Sequence, residues 1–259
     1  MPSNLPSWGV GVIRGLYSCA NGLLAESTRA DVIASNLAGL SVPAFRREIP
    51  TVRAFDRAMD YLAGQGAAGF AGPSALLSPA TTVDLQPGSM RATGGRLDLA
   101  LDGPGYFCVQ TPAGEAYTRA GAFRVDPSRR LVTTNGEPVL GTAGAIRIAG
   151  NSVEITERGD VAVDGRVVDR LRLVDFPPGA QAEKLGSGLL GLKPSSTVRQ
   201  VVVATGARVR QGYLEEPNVN TVTELAAMIA SLRSFEASQR ALQATDETLD
   251  KAINEIGRV

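Results

Sequence analysis

The C-terminal end of this chain carries a helical pattern that constrains the fold more than any other feature. Its positions follow alternating steps of three and four residues, which keeps a narrow stripe on one side of a helix. The members are Leu225, Met228, Leu232, Phe235, Gln239, Leu242, Asp246, Leu249, Ile253 and Ile256. A similar set near the N-terminus comprises Val12, Leu16, Cys19, Leu23, Glu26, Ala30, Ile33, Leu37 and Leu40. We therefore predict one helix from Ser7 to about Gly39 and another that begins at Asn220 or Thr221.

The middle of the chain follows a strand pattern instead. Leu97, Leu99 and Leu101 alternate with polar or small residues, as in a strand with one buried face. Asn135-Gly136 is a strong signal for a tight hairpin turn. The predicted fold class is α+β, with the terminal helices pairing as a coiled-coil-like region around a central, mainly antiparallel β domain. The predicted parts are an N-terminal helix (1–44), a connector (45–88) with a short helix around 53–62, a β domain (89–212) and a C-terminal helix (213–259).

Composition narrows the possible functions. The 259 residues carry 26 basic and 26 acidic side chains, so no charge excess indicates a nucleic acid partner. Histidine is absent, which removes the commonest general base and metal ligand. Asp98 and Asp102 lie on the same face of a strand and raise the possibility of a paired-carboxylate site, although a solvated strand face explains them better. We predict no enzyme activity, no cofactor and no metal.

The cysteines and the lack of membrane or signal segments lead to further predictions. Cys19 and Cys108 are the two cysteines, and we interpret both as small buried apolar residues. The sequence has no apolar run of about 18 residues, so we predict no membrane span. Residues 1–8 lack the basic and apolar regions of a secretory signal.

Three ordered blocks resemble the flagellar axial proteins, specifically the basal-body rod family. The first runs from Gly15-Leu16-Tyr17 through Asp31 to Ala38 and ends at Phe45-Arg46. The second comprises 97–101 with Gly103, Gly105, Phe107, Tyr117-Thr118-Arg119, Gly121 and Phe123, and the third comprises 212–215 with 218–220, Glu224, Met228, Arg233, Phe235-Glu236 and Asp246. The sequence departs from the family pattern at Ser35, Gly39, Pro43-Ala44 and Pro217.

The resemblance implies a structural subunit of the rod in the flagellar basal body. Such subunits build an axial tube from their terminal helices, carry torque across the periplasm, and leave the cytoplasm uncleaved through the flagellar type III export apparatus. The expected partners are therefore other rod subunits, further copies of this chain and that apparatus. The segment from Asn135 to Gly141 is similar to the F-type proximal rod proteins, with the distal rod proteins as the close alternative. A non-flagellar coiled-coil surface protein of the adhesin type is the alternative from another class.

The family plan and the helical pattern together predict an assembly interface on the terminal helices. Asp246 matches a family position, and we interpret it as a polar residue that sets register between subunits. The predicted interface residues are Leu16, Leu23, Ile33, Asn36, Leu37, Asn218, Asn220, Leu225, Met228, Leu232, Phe235, Leu242, Asp246, Leu249 and Ile253.

Overall fold

The computed structural model describes residues 7–54, 77–177, 180, 182–193 and 201–256. The chain divides into two compact units. The helical unit lies within residues 1–35, 48–81 and 221–259, and the β unit lies within residues 36–47 and 82–220.

One long helix lies near each end of the chain. Helix α1 spans Ser7–Ala38 and continues into a short 3₁₀ turn at Gly39–Ser41. Helix α2 spans Thr221–Ile256. Glu224 lies in its first turn, where the positive end of the helix dipole stabilises a negative charge. The predicted starts of both helices are confirmed. Neither helix, over the residues described, is long and apolar enough to cross a membrane.

The described residues between the two helices form seventeen short strands. They are β1 (Glu48–Ala54), β2 (Leu77–Val83), β3 (Met90–Ala92), β4 (Leu99–Asp102), β5 (Tyr106–Thr111), β6 (Gly114–Thr118), β7 (Phe123–Val125), β8 (Leu131–Thr133), β9 (Val153–Ile155), β10 (Asp160–Val163), β11 (Arg166–Arg170), β12 (Leu173–Asp175), β13 (Ala182–Gly186), β14 (Leu189–Leu192), β15 (Val202–Val203), β16 (Arg208–Gln211) and β17 (Tyr213–Glu215).

All described strand pairs of the β unit are antiparallel. The largest sheet has six strands in the order β13-β14-β6-β5-β12-β15, and β9, β10 and β11 form a three-stranded sheet. The ribbons β16-β4, β17-β3 and β7-β8 complete the unit. The predicted central antiparallel β domain is therefore present.

The core of the β unit is closed and apolar. Leu99, Phe107 and Leu131 are completely buried, and the inward direction predicted for Leu99 and Leu101 is confirmed. Phe107 meets Phe123 edge to face, with 5.2 Å between ring centroids. Cys108 is a buried free thiol, as predicted, and burial raises its pKa to about 11 against the lowering effect of Arg172. The side chain of Cys19 lies outside the described residues.

The prediction of an α+β fold built on a coiled-coil-like helix pair is wrong. The described chain is mainly β, with one helix near each end, and no coiled-coil pairing is present. Leu225 and Leu232, which belong to the predicted seam, are each 49% exposed, and Gln239 and Asp246 are exposed too. The more buried stripe of α2 instead comprises Glu224, Ala227, Met228, Ser231, Phe235, Ser238, Leu242 and Thr245.

The spacing of the apolar residues explains why another stripe of α2 is buried than the one predicted. Met228, Phe235 and Leu242 are seven residues apart, and they belong equally to two neighbouring stripes of the helix. In the structure they are accompanied by Glu224 and Ser231 rather than by Leu225 and Leu232. Ser231 donates a hydrogen bond to the Glu26 carboxylate of α1 at 2.8 Å, so a polar contact is formed where apolar packing was predicted.

The connector also differs from the prediction. Strands β1 and β2 pair with each other, so a two-stranded sheet replaces part of the predicted loop. Arg53 and Ala54, which were assigned to a short helix, end strand β1. The remainder of that predicted helix, through residue 62, lies outside the described residues.

Candidate functional site

A buried ionic cluster joins distant segments of the β unit. The Glu215 carboxylate, 2% exposed, accepts hydrogen bonds from Arg46 at 2.6 Å and from Arg119 at 3.1 Å. The backbone N–H of Gly88 donates to the same carboxylate at 2.9 Å. These residues come from the segment after α1, the segment before β3, strand β17 and the end of β6. We call Arg46, Arg119 and Glu215 the Glu215 hub.

Arg119 connects the hub to the turn between β4 and β5. Its Nε donates to the carbonyl of Gly105 at 2.7 Å, and its Nη2 donates to the carbonyl of Gly103. Gly103 and Gly105 have φ values of +102° and +131°, a backbone conformation that other residues rarely adopt. The guanidinium also lies 5.4 Å from the centre of the Tyr106 ring. The turn thus presents two carbonyl groups to one arginine.

Tyr106 shows the electrostatic character of this region. Burial raises the pKa of its phenol, while the positive charges of Arg46 and Arg119 act in the opposite direction. Two arginines and one glutamate leave the hub with a net positive charge. Among the described residues, Nε and Nη2 of Arg46 have no hydrogen-bond partner.

Asn218 fastens the same segments at a second point. Its side-chain oxygen accepts from the backbone N–H of Arg47 at 2.6 Å. Its amide nitrogen donates to the carbonyls of Gln86 at 2.9 Å and Asp84 at 3.2 Å, and its backbone N–H donates to the carbonyl of Phe45 at 3.2 Å. An aspartate at this position would lose both side-chain donors, so the amide is required for the full set.

Phe45 is the apolar anchor of the segment that follows α1. It is buried, and the ammonium of Lys184 lies 3.6 Å from the centre of its ring. A Cβ atom at Gly39 would overlap the ring of Phe45, so this glycine permits the close approach. The backbone N–H of Ala44 adds a hydrogen bond to the carbonyl of Glu215 at 2.8 Å.

The predicted interface residues in the first part of the chain have different environments. Ile33 and Asn36 are buried, at 3% and 1% exposure, whereas Leu23 and Leu37 are half-buried. Leu16 lies in α1, and its side chain is outside the described residues. Asn218 belongs to the network above, and Asn220 is exposed directly before α2.

The predicted interface residues of α2 fall on two faces. Met228, Phe235 and Leu242 are half-buried, whereas Leu225, Leu232 and Asp246 are exposed. Leu249 and Ile253 lie in the helix, but their side chains are outside the described residues. The exposed leucines continue a stripe that the prediction did not include, since Val222 is 77% exposed and Ile229 is 54% exposed. We call Val222, Leu225, Ile229 and Leu232 the exposed stripe.

The reasoning from sequence missed the hub, because it looked for functional residues on the helices. A signal was nevertheless present. Arg46, Arg119 and Glu215 belong to the first, second and third blocks of the family resemblance, respectively. The structure brings these three blocks together in one buried cluster.

Two regions of this chain match models of known protein families. Residues 100–163 match a family model described as the flagellar hook protein FlgE/F/G D1 domain, and residues 210–255 match the flagellar basal body rod FlgEFG protein C-terminal model. These two regions contain Arg119 and Glu215, respectively. The two matches correspond to the central β domain and to the end of the chain that carries α2.

Relatives that match almost the whole chain are flagellar basal-body rod proteins. The flagellar basal-body rod protein FlgG of Bacillus subtilis (strain 168) is 32% identical over 263 residues, covering 94% of this chain and 99% of the relative. The flagellar basal-body rod protein FlgF of Escherichia coli (strain K12) is 34% identical over 252 residues, covering 92% and 96%. The FlgF protein of Rhizobium meliloti (strain 1021) is 30% identical over 248 residues, covering 94% and 98%.

The chain belongs to the flagellar basal-body rod proteins, of the F or G type. It is a structural protein of the flagellum, located in the basal body. The predicted family and location are confirmed.

Proposed function

We propose that this protein is an F-type subunit of the rod, which assembles with further copies and other rod subunits into the axial tube and carries torque across the periplasm. Its route to the rod is the flagellar type III export apparatus. The observation that carries the proposal is the exposed stripe on α2. Val222, Leu225, Ile229 and Leu232 follow steps of three, four and three residues, so they lie on one side of the helix.

A stripe of this kind is costly in water and favours association. Complete burial of a large aliphatic side chain contributes roughly 1.5–3 kcal/mol. The four side chains are 49–77% exposed, so covering them in an assembly contributes a part of that amount for each residue and favours association. The predicted interface residues Leu225 and Leu232 are part of the stripe. In this proposal Asp246, which is exposed on the same helix, sets the register with a neighbouring subunit.

The hub has a complementary role in this proposal. It fastens the segment after α1 and strand β17, which precedes α2, to the same part of the β unit. Torque that reaches the chain through its terminal segments would pass into the β unit at this buried cluster. A buried carboxylate that is shared by two arginines resists displacement because separation would leave charges without partners.

The F type is supported by the resemblance of the segment from Asn135 to Gly141. In the structure Asn135 and Gly136 form the predicted turn, with a φ of +98° at Gly136 and its N–H donating to the carbonyl of Thr133 at 3.0 Å. Expressing this chain in host strains that lack either the F-type or the G-type gene tests the assignment. Rescue of swimming in the F-type deletion alone supports it, and rescue of the G-type deletion alone contradicts it.

The proposed role of the exposed stripe in assembly is tested by introducing negative charges into it. Leu225→Asp combined with Leu232→Asp places two carboxylates in the exposed stripe, and we expect rods to be absent or short and cells not to swim. The matched control, Ser234→Asp combined with Ala237→Asp, adds the same charge at exposed positions on another side of α2. Basal bodies isolated from both strains are compared by electron microscopy. Complete rods in the Leu225/Leu232 strain would contradict the proposal.

A further inference from the structure

Four arginines lie on or beside the β7-β8 ribbon of the β unit, and none of them belongs to the Glu215 hub. Arg124 lies on β7, Arg129 and Arg130 lie at the turn into β8, and Arg147 lies on the neighbouring segment. Arg124, Arg129 and Arg147 are exposed, and Arg130 is half-buried. We call these four residues the arginine face.

The strand register places three of these side chains on the same side. Arg130 and Arg147 are directly opposite each other in an antiparallel bridge. Arg124 pairs with Val132, two residues after Arg130, and strand alternation therefore gives Arg124 and Arg130 the same direction. Ile146 and Ile148 are buried on either side of Arg147, so Arg147 points away from the core.

This arrangement is electrostatically unfavourable in the isolated chain. Like charges directly opposite each other on neighbouring strands are destabilising. Only Arg130 has an acidic partner among the described residues, because Asp126 accepts its Nε–H at 2.8 Å. Arg124, Arg129 and Arg147 form no ion pair within the described part of the chain. Four positive charges and one negative charge thus leave a local charge of +3 on a chain whose formal net charge is 0.

Glu137, the acidic residue that follows the β7-β8 ribbon in the sequence, is already engaged. Glu137 accepts a hydrogen bond from Thr133, and alternation along β8 puts Thr133 on the opposite face from Val132. The described residues supply no acidic partner for Arg124, Arg129 and Arg147, so these exposed guanidinium groups are accessible to acidic groups of another molecule.

We propose that the arginine face is a docking surface for a partner protein with a carboxylate-rich surface. The planar guanidinium group matches a carboxylate in two parallel hydrogen bonds. Opposite residues on paired strands are about 4.5–5.5 Å apart, a spacing that neighbouring acidic side chains of a protein can match. The Asp126 carboxylate already binds Arg130 on this face, so a protein carboxylate fits among these arginines, which favours acidic side chains over a phosphate chain.

The proposal predicts salt-dependent binding to an acidic polypeptide. Purified full-length protein is titrated with poly-L-glutamate at low ionic strength, and inorganic polyphosphate serves as the comparison probe. We expect the Arg124→Gln/Arg147→Gln variant to bind poly-L-glutamate at least about tenfold more weakly than the natural chain. The control variant, Arg166→Gln/Arg208→Gln, removes the same charge at exposed positions on β11 and β16 and should retain binding.

A single substitution separates docking from folding. Arg147→Glu replaces a like-charge pair with an opposite-charge pair across the bridge, so the midpoint of unfolding should be unchanged or higher while poly-L-glutamate binding is lost. Equal losses in the control variant, tighter binding of polyphosphate, or no binding at low ionic strength would each overturn the proposal. These measurements use isolated protein, so they are independent of rod assembly.

Discussion

The β unit and the helical unit use apolar residues in opposite ways. In the β unit Leu99, Phe107 and Leu131 are fully buried, and even the charged residues of the Glu215 hub are removed from water. In the helical unit α2 leaves Val222, Leu225, Ile229 and Leu232 exposed. The comparison indicates that the β unit buries its large apolar residues within one chain, whereas α2 leaves an apolar stripe exposed that, in our proposal, is covered on association.

The largest effect is expected from breaking the hub. Glu215→Ala leaves Arg46 and Arg119 buried without their carboxylate, which should lower the free energy of unfolding of the β unit by about 3–5 kcal/mol. The control is Glu216→Ala, whose carboxylate is half-exposed and lies 3.7 Å from Arg91. The loss of unfolding free energy in Glu216→Ala should stay below about 1 kcal/mol. Urea denaturation of both variants gives their free energies of unfolding. Similar losses of stability in the two variants would show that the hub is not a structural centre.

The same substitution in both units tests the comparison directly. Leu99→Ala creates a cavity in the closed core and should cost about 2–5 kcal/mol. Leu232→Ala removes a side chain that is 49% exposed, so the isolated chain should lose less than about 1 kcal/mol while rod assembly suffers. Thermal unfolding and basal-body imaging give the two readouts. A large stability loss for Leu232→Ala would mean that its side chain already packs within the monomer.

A smaller effect on the stability of the β unit is expected when the pH is lowered. The hydrogen bond from Arg170, at 2.5 Å, lowers the pKa of Asp160 below its ordinary value. This pair therefore stabilises the β unit above about pH 4, near the carboxyl pKa of the unfolded chain, and the contribution disappears as pH falls through the lower folded pKa. Asp160→Asn should flatten the loss of stability between about pH 4 and pH 2. In a double-mutant cycle, adding Arg170→Gln should cause little further change in that slope.

The helical unit provides the control for the Asp160 pair. Glu236 and Arg240 are one turn apart on α2, 3.9 Å from each other, and both are largely exposed. Glu236→Gln should leave the free energy of unfolding at neutral pH nearly unchanged, because exposed pairs of this kind contribute little. A stability loss at neutral pH equal to that of Asp160→Asn would erase the electrostatic contrast between the two units.

Much of the local structure was predictable. Ser7 and Thr221 begin helices, Leu99 and Leu101 point into the core, and Asn135-Gly136 forms a turn. Each of these depends on residues close together in sequence. The choice between the stripes of α2 was not predictable, because Met228, Phe235 and Leu242 fit both stripes and only the surroundings of Ser231 decide between them.

The sequence by itself determined the family, the two helices and the strand character of the middle, because periodicity, turn residues and ordered blocks are local properties. Tertiary structure decided the buried ionic cluster of the Glu215 hub. Arg46 and Glu215 are 169 positions apart, and nothing in either neighbourhood marks them as partners. With 26 basic and 26 acidic side chains, many pairings were possible, and burial alone selected this one. A charge removed from water must be paired, and the fold determines which charges are removed from water.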